Sequence, residues 1–99
     1  MIVVRNVFRL KFGQARPALT LLSEGRSIMK RVDPQASQRL LTDVVGPSYT
    51  VVLENTYENL GAFEKAAHGV MGSDEWRAWY QKFVPLVDSG YREIFTIVD

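Results

Sequence analysis

The sequence predicts an α+β fold in which helices pack on one face of a four-stranded antiparallel sheet. Strand-like and helix-like patterns alternate along 99 residues in the order strand, helix, strand, strand, helix, strand. This β-α-β-β-α-β order is the ferredoxin-like arrangement. In addition, the strands carry apolar residues on both faces, although two helices can cover only one face of the sheet. We therefore expect a second copy of the chain to cover the other face.

Length and composition favour one domain over residues 1–99 without covalent cross-links. Hydrophobic residues make up 46% of the chain and charged residues 23%, which is ordinary for a globular protein. The chain has no cysteine, which excludes disulfides, thiolate catalysis and cysteine-ligated metal centres.

Neither export nor membrane insertion is predicted. Charges interrupt the first nine residues, unlike a signal peptide, and no apolar run approaches the roughly 20 residues that span a bilayer. We expect a cytoplasmic protein without a membrane partner. The net charge is +1, with the basic residues concentrated before position 41 and the acidic ones after it. This asymmetry indicates either an anion-binding or self-associating surface, or solvated charges that mix in the folded protein.

The first strand is predicted over residues 2–12 and ends at Gly13. Its residues alternate with a period of two, as expected for a strand. The face assigned to the helices contains Ile2, Val4, Asn6, Phe8, Leu10 and Phe12, and the opposite face contains Val3, Arg5, Val7, Arg9 and Lys11.

A helix is predicted to follow, with Pro17 in its first turn and its end at Asp33 and Pro34. Gly25 lies on its apolar stripe and costs about 1 kcal/mol relative to alanine, unless close packing requires a glycine. The stripe consists of Ala15, Ala18, Leu19, Leu22, Met29 and Val32.

A hairpin is predicted next, with strands over residues 40–45 and 49–53 and a turn at residues 46–48. Gly, Pro and Ser between two apolar runs are typical of such a turn. Both strands carry apolar residues on both faces, which again predicts a sheet that is covered on both sides.

Residues 58–70 show a helical pattern, with Leu60, Phe63 and Ala67 on one side. Gly72 interrupts this pattern, and Ser73 is then expected to cap a new helix.

Asp74 and Glu75 suit the positive end of this new helix. Pro85 should end it, and residues 88–90 should turn the chain into a last strand over residues 91–98. Its amphipathic stripe consists of Trp76, Trp79, Tyr80, Phe83, Val84 and Val87.

Two segments carry a resemblance to a known superfamily. The first strand with Gly13 and the following helix, and residues 72–86 with their Ser-Asp-x-x-Trp … Pro-Leu pattern, resemble the dimeric α+β barrel superfamily. The pattern is most similar to NIPSNAP-type and antibiotic-biosynthesis-monooxygenase-type domains. The resemblance implies a homodimer in which two ferredoxin-like sheets join face to face into a barrel.

For function, the resemblance implies a small-molecule enzyme or binder. The superfamily includes cofactor-independent oxygenases of polycyclic aromatics, haem-degrading enzymes and NIPSNAP-type proteins without a defined reaction. An Asn on the first strand of the haem-degrading enzymes helps to bind the iron-bound ligand, and Asn6 matches that position. Their Trp and His correspond to Ala66 and Tyr80 in this chain, which argues against haem degradation.

The predicted ligand site is an apolar pocket between the sheet and the helix that begins after Ser73. Asn6 and Tyr80 would orient a hydrophobic, aromatic compound by hydrogen bonds, and Trp76 and Phe83 would form the wall. Alternatively, the aromatic residues are plain core and Asn6 is a structural amide. His68, the only histidine, is a candidate general base or axial haem ligand, or a structural residue at a helix C-terminus.

The sequence lacks the motifs of several other functional classes. One histidine without cysteine does not predict a zinc site, and no phosphate-binding loop or RNA-recognition motif occurs. We therefore expect no cofactor, no metal and no nucleic-acid partner. The alternative function is a non-catalytic homodimeric interaction module. In the barrel dimer, Arg5 and Arg9 would lie near the interface, either in ion pairs with Glu93 or Asp43 or as substrate-binding residues.

Overall fold

The strands and helices occur in the predicted order, and the computed structural model describes all 99 residues. The four strands form one antiparallel sheet in the order β2-β3-β1-β4, so the ferredoxin-like α+β fold is confirmed. A short 3-10 turn, Val84–Leu86, joins the last helix to the last strand. The elements are β1 (Ile2–Leu10), α1 (Ala15–Val32), β2 (Ser37–Thr42), β3 (Thr50–Tyr57), α2 (Leu60–Met71), α3 (Asp74–Phe83) and β4 (Val87–Thr96).

All three helices pack on one face of the sheet, the face predicted from β1. A single core lies between the sheet, α1 and α3, and a smaller cluster of Met29, Leu53 and Val70 extends it towards α2. The main core consists of Leu10, Ala18, Leu22, Ile28, Val51, Trp79 and Phe83, with Phe8 packed against it.

Gly25 allows α1 and α3 to approach each other closely. A Cβ atom at this position would lie 2.7 Å from Cε2 and Cζ2 of Trp79. The Trp79 indole is buried, and its Nε1–H donates to the backbone carbonyl of Leu21. Close packing therefore explains a glycine within a helix, as the sequence analysis required.

The helix ends follow local sequence signals. The Ser73 hydroxyl accepts a hydrogen bond from the Trp76 N–H at 3.2 Å, so the predicted N-cap of α3 is confirmed. Asn59, which the sequence analysis missed, caps α2 by accepting from the Ala62 N–H at 2.9 Å. Leu60 lies in the first turn behind this cap and is 51% exposed.

The connection between β2 and β3 is longer than predicted. Val44 and Val45, predicted as strand residues, lie in this connection and are 96% and 94% exposed. The Asp43 carboxylate accepts a hydrogen bond from the Thr50 N–H at 2.9 Å and closes the loop. Side-chain bonds of this kind compete with strand pairing, which is why apolar, β-branched residues do not extend β2.

The ends of β1 and β4 also differ from the prediction. Phe12, placed on the core face, lies beyond the end of β1 and is exposed. The predicted turn at residues 88–90 belongs to β4, because a bulge opposite Arg9 and Leu10 accommodates Asp88. Gly90 is needed there for another reason, since a Cβ would lie 2.8 Å from Cδ1 of Phe8.

The other face of the sheet, called here the helix-free face, carries one row of alternating charges. Arg39, Glu54, Arg5 and Glu93 are successive cross-strand neighbours. Arg5 Nε lies 3.3 Å from Glu54 Oε2, Arg5 Nη1 lies 3.1 Å from Glu93 Oε1, and Arg39 pairs with Glu54. Of the two candidate partners from the sequence, Glu93 pairs with Arg5 within the chain and Asp43 makes no ion pair, whereas Glu54 was missed.

Replacing Gly25 with alanine tests the contact between α1 and α3. Alanine gains helix propensity worth about 1 kcal/mol. Overpacking against a rigid indole costs roughly 1–3 kcal/mol. We expect Gly25→Ala to lower the free energy of unfolding in urea denaturation. Gly61→Ala is the control, because a Cβ there has ordinary contacts, and it should be neutral or stabilising. A more stable Gly25→Ala protein would contradict this packing analysis.

Candidate active site

A cleft of about 810 Å³ lies between the sheet and helices α2 and α3. Its volume is within the range of small-molecule sites, and 17 of its 25 lining residues are hydrophobic. The sequence analysis placed a pocket between the sheet and α3. The structure adds α2 as a second wall, with Phe63, Ala66, Ala67 and Val70 facing the cleft.

Four of the five predicted site residues line this cleft: Asn6, Trp76, Tyr80 and Phe83. His68 does not line it and is exposed in the last turn of α2. The structure therefore gathers the predicted amide and aromatic residues in one place, and it leaves the histidine outside. Their roles towards a ligand stay predictions.

The aromatic residues of α3 divide between the core and the cleft. Trp79 stacks on Trp76 at 4.5 Å and on Phe83 at 5.0 Å between ring centroids. Trp79 and Phe83 are buried, as the plain-core alternative expected for the whole stripe. Trp76 is only partly buried and Tyr80 is 51% exposed, so one helical face presents both to the cleft. Because water reaches Tyr80, its hydroxyl needs no hydrogen-bond partner within the protein.

Four polar residues on the strands form one end of the cleft, and we call them the polar strand cluster: Asn6, Asn55, Tyr57 and Arg92. Asn6 and Arg92 are cross-strand neighbours on β1 and β4, and the Arg92 Nε–H donates to Asn6 Oδ1 at 2.7 Å. The guanidinium carbon of Arg92 lies 5.3 Å from the centroid of the Phe63 ring. Asn6 therefore has a structural hydrogen bond and also lines the cleft.

Asn55 is the buried polar residue of this cluster. Its side chain is 2% exposed, and its Oδ1 accepts no hydrogen bond. Leaving a buried acceptor unsatisfied costs roughly 1–3 kcal/mol, so such atoms are uncommon in native proteins. Gln38, its cross-strand neighbour on β2, also has an unpaired Nε2.

Tyr57 is held in its neutral form. Burial raises the pKa of Tyr57 above its ordinary value of 10.0, the Asp33 carboxylate raises it further, and Arg92 lowers it. Its ring packs edge-on against Phe63 at 5.5 Å. At neutral pH the Tyr57 hydroxyl is therefore protonated and able to donate a hydrogen bond.

Sequence reasoning missed Asn55 and Tyr57 because it ended the third strand at Leu53. Arg92 lay in the predicted last strand, but its position beside Asn6 follows from the register between β1 and β4, which the sequence did not predict. Continued alternation from Val51 would have placed residues 53, 55 and 57 on the helix face of the sheet. The side-chain chemistry of the cleft rests on amides, phenols and guanidinium groups, with Asp88 as the one lining carboxylate. No group of three or more His, Cys, Asp or Glu residues comes together to hold a metal ion.

The field of Arg92 at the Tyr57 hydroxyl can be measured by titration. In ¹³C NMR of tyrosine-labelled protein, the signal lost in Tyr57→Phe should titrate above pH 10.0. We expect Arg92→Met to raise this pKa, because a cation that stabilises the phenolate is removed. Asp33→Asn should lower it. An unchanged or lower pKa in Arg92→Met would contradict the placement of Arg92 beside Tyr57.

The raised pKa of Tyr57 also determines how the free energy of unfolding changes at alkaline pH. Because the folded pKa of Tyr57 is raised, its contribution to stability is complete below pH 10.0 and is lost as the pH rises through the folded value. Between these two values, the free energy of unfolding of Tyr57→Phe should fall less steeply with pH than that of the unaltered protein.

Comparison with protein-family models and with curated proteins finds no match. None of the helices is both long enough and apolar enough to cross a bilayer. The comparison with solved structures, by contrast, finds similar folds over the whole chain.

An uncharacterised NIPSNAP domain protein from Burkholderia xenovorans has a TM-score of 0.89 and 19% identity, covering 99% of this chain and 95% of its own. A NIPSNAP family protein from Agrobacterium tumefaciens has a TM-score of 0.89 and 20% identity, covering 99% of this chain and 86% of its own. A variant of a cofactor-independent oxygenase from Streptomyces nogalater has a TM-score of 0.75 and 13% identity, covering 99% of this chain and 93% of its own. The chain thus has the fold shared by NIPSNAP domain proteins and antibiotic-biosynthesis-monooxygenase-like proteins, as the sequence resemblance predicted.

Proposed function

We propose that the protein binds a flat, hydrophobic, aromatic small molecule in the cleft. The observation that carries this proposal is the cleft itself, which has a volume of about 810 Å³ and a mainly hydrophobic lining. Trp76 and Tyr80 offer aromatic surface for stacking. Asn6 and the Tyr80 hydroxyl supply hydrogen bonds that would orient the ligand.

The enzymatic form of this proposal is cofactor-independent oxygenation. It is supported by the fold that the chain shares with the Streptomyces nogalater oxygenase. Such chemistry needs an electron-rich substrate held in an apolar pocket beside molecular oxygen. Because no histidine lines the cleft, the substrate would have to be acidic enough to lose its proton to water before oxygen adds.

We further propose that two single-domain copies form a homodimer through the helix-free face. The molecule is flat, 36 × 34 × 18 Å, because its helices lie on only one side of the sheet. Tyr91 and Phe95 on β4 expose aromatic rings on the other side, beside the row of alternating charges. A two-fold axis would cover both copies of this surface at once. A cytoplasmic location remains a prediction that rests on the sequence.

Ligand binding is tested by thermal melts with a panel of flat aromatic compounds. A ligand at about 100 times its Kd stabilises the native state by about 2.7 kcal/mol, so at least one compound should raise the Tm. Trp76→Ala should weaken binding of that compound about fivefold, the loss expected from one aromatic stacking contact of about 1 kcal/mol. His68→Ala is the matched control and should bind with unchanged affinity, since His68 lies outside the cleft.

If no compound in the panel raises the Tm, the proposed ligand class is wrong and a non-catalytic interaction module is favoured. A Soret band after addition of haem, lost in His68→Ala, would instead indicate haem binding through the exposed histidine.

The dimer is tested by native mass spectrometry. We expect a dimer, and we expect Phe95→Glu to give a monomer because a buried, unpaired carboxylate would lie in the interface. Leu60→Glu is the control, since Leu60 is 51% exposed on α2 and Phe95 is 48% exposed on the helix-free face. A monomer for the unaltered protein would contradict the proposed pairing.

A further inference from the structure

The polar atoms that the polar strand cluster leaves free for a ligand are hydrogen-bond donors. Asn6 Oδ1 already accepts from Arg92, which leaves the Asn6 Nδ2 hydrogens. Asn55 also lines the cleft; its Oδ1 is buried and unpaired, and its Nδ2 hydrogens are a second set of donors. The Tyr57 hydroxyl is neutral and adds a third donor.

Arg92 adds a positive charge to these donors. Its terminal nitrogens make no hydrogen bond within the protein, and no carboxylate lies within 4.0 Å of its guanidinium group. The bond from Nε to Asn6 and the Phe63 ring beneath the guanidinium hold the group in place. Arg92 is therefore fixed at the edge of the cleft without a counter-ion.

The side chains of Tyr57 and Arg92 both lie against Phe63. The Tyr57 ring and the Arg92 guanidinium lie 5.5 Å and 5.3 Å from the same Phe63 ring centroid. Asp33 lies near enough to Tyr57 to raise its pKa, but it makes no ion pair with Arg92 and does not line the cleft. Asp88, the one carboxylate that lines the cleft, lies four residues before Arg92 along β4. Four residues of strand span about 13 Å, so Asp88 is at the other end of the cleft.

We propose that this end of the cleft binds a carboxylate group, so that the ligand is a hydrophobic aromatic carboxylic acid. The flat fork of a guanidinium group matches the two oxygens of a carboxylate better than it matches a single phenolate oxygen. The neutral donors Asn6, Asn55 and Tyr57 would donate hydrogen bonds to the remaining lone pairs of the carboxylate oxygens. The inference rests on the proposed function, because the aromatic part of the ligand occupies the apolar remainder of the cleft.

The test compares 2-naphthoate with 2-naphthamide, which has the same shape without the charge, by isothermal titration calorimetry. We expect naphthoate to bind about tenfold more tightly, as charge-assisted hydrogen bonds are roughly twice as strong as neutral ones. Arg92→Gln should abolish this preference, so that the two compounds bind with equal affinity. Arg16→Gln removes the same charge from an exposed site on α1 and should keep the preference.

Salt provides a second measurement on the unaltered protein, independent of any variant. The affinity for naphthoate should fall from low to high ionic strength, and the affinity for naphthamide should not, because Arg92 is exposed enough to be screened.

The possible results distinguish failure of the carboxylate site from failure of the proposed aromatic ligand. Equal affinity for both compounds, or a preference that survives in Arg92→Gln, overturns the carboxylate site and leaves the proposed aromatic ligand standing. Tighter binding of 2-naphthol than of 2-naphthoate also overturns it, in favour of a phenol. Binding of none of the three compounds overturns the proposed aromatic ligand together with the carboxylate site.

Discussion

The arrangement of helices over the sheet depends on the packing of one indole against one glycine. Trp79 fills the space that a side chain at Gly25 would occupy, and it stacks between Trp76 and Phe83. This contact joins α3 to α1 and fixes the rotation of α3 about its axis. With Trp79 turned into the core, the helical period turns Trp76 and Tyr80 towards α2. Because Trp79 fills the core between α3 and α1, the space between α3 and α2 stays open and forms the cleft.

Because side chains alternate along β1, this strand contributes residues to both faces of the sheet. Asn6 points to the cleft and bonds Arg92, while its neighbour Arg5 points to the helix-free face and joins Glu54 and Glu93. Each face uses β1 as the centre of a cross-strand pattern, because β1 pairs with both β3 and β4. A register slip of one residue would exchange the two faces and destroy both patterns together.

The sequence predicted those features that depend on local signals. Ser73 is followed by acidic residues and an apolar stripe, and a cap of this kind needs only its own helix. Val44 and Val45 were misassigned because β-branched residues favour strands wherever a partner exists, and the loop closed by Asp43 offers them none.

The polar strand cluster could not be predicted, because its residues meet through long-range register. Arg92 faces Asn6 only because a bulge at Arg9 and Leu10 absorbs one residue of β4. Asn55 continues a strand through a polar stretch, which is stable because β1 and β2 pair with it on both sides.

The composition of the cleft limits the chemistry that its own residues can perform. It contains donors and Arg92 at one end, Arg77 and stacked aromatic rings on α3, and no histidine. Such an environment stabilises negative charge on a bound oxygen atom, since fixed donors in an apolar site need no reorganisation when the charge develops. It does little to remove a proton, because the lining carboxylate of Asp88 is exposed and lies far from the donors along β4. Any reaction in this cleft would therefore start from a ligand that is already anionic or acidic, with the protein holding the charge in place.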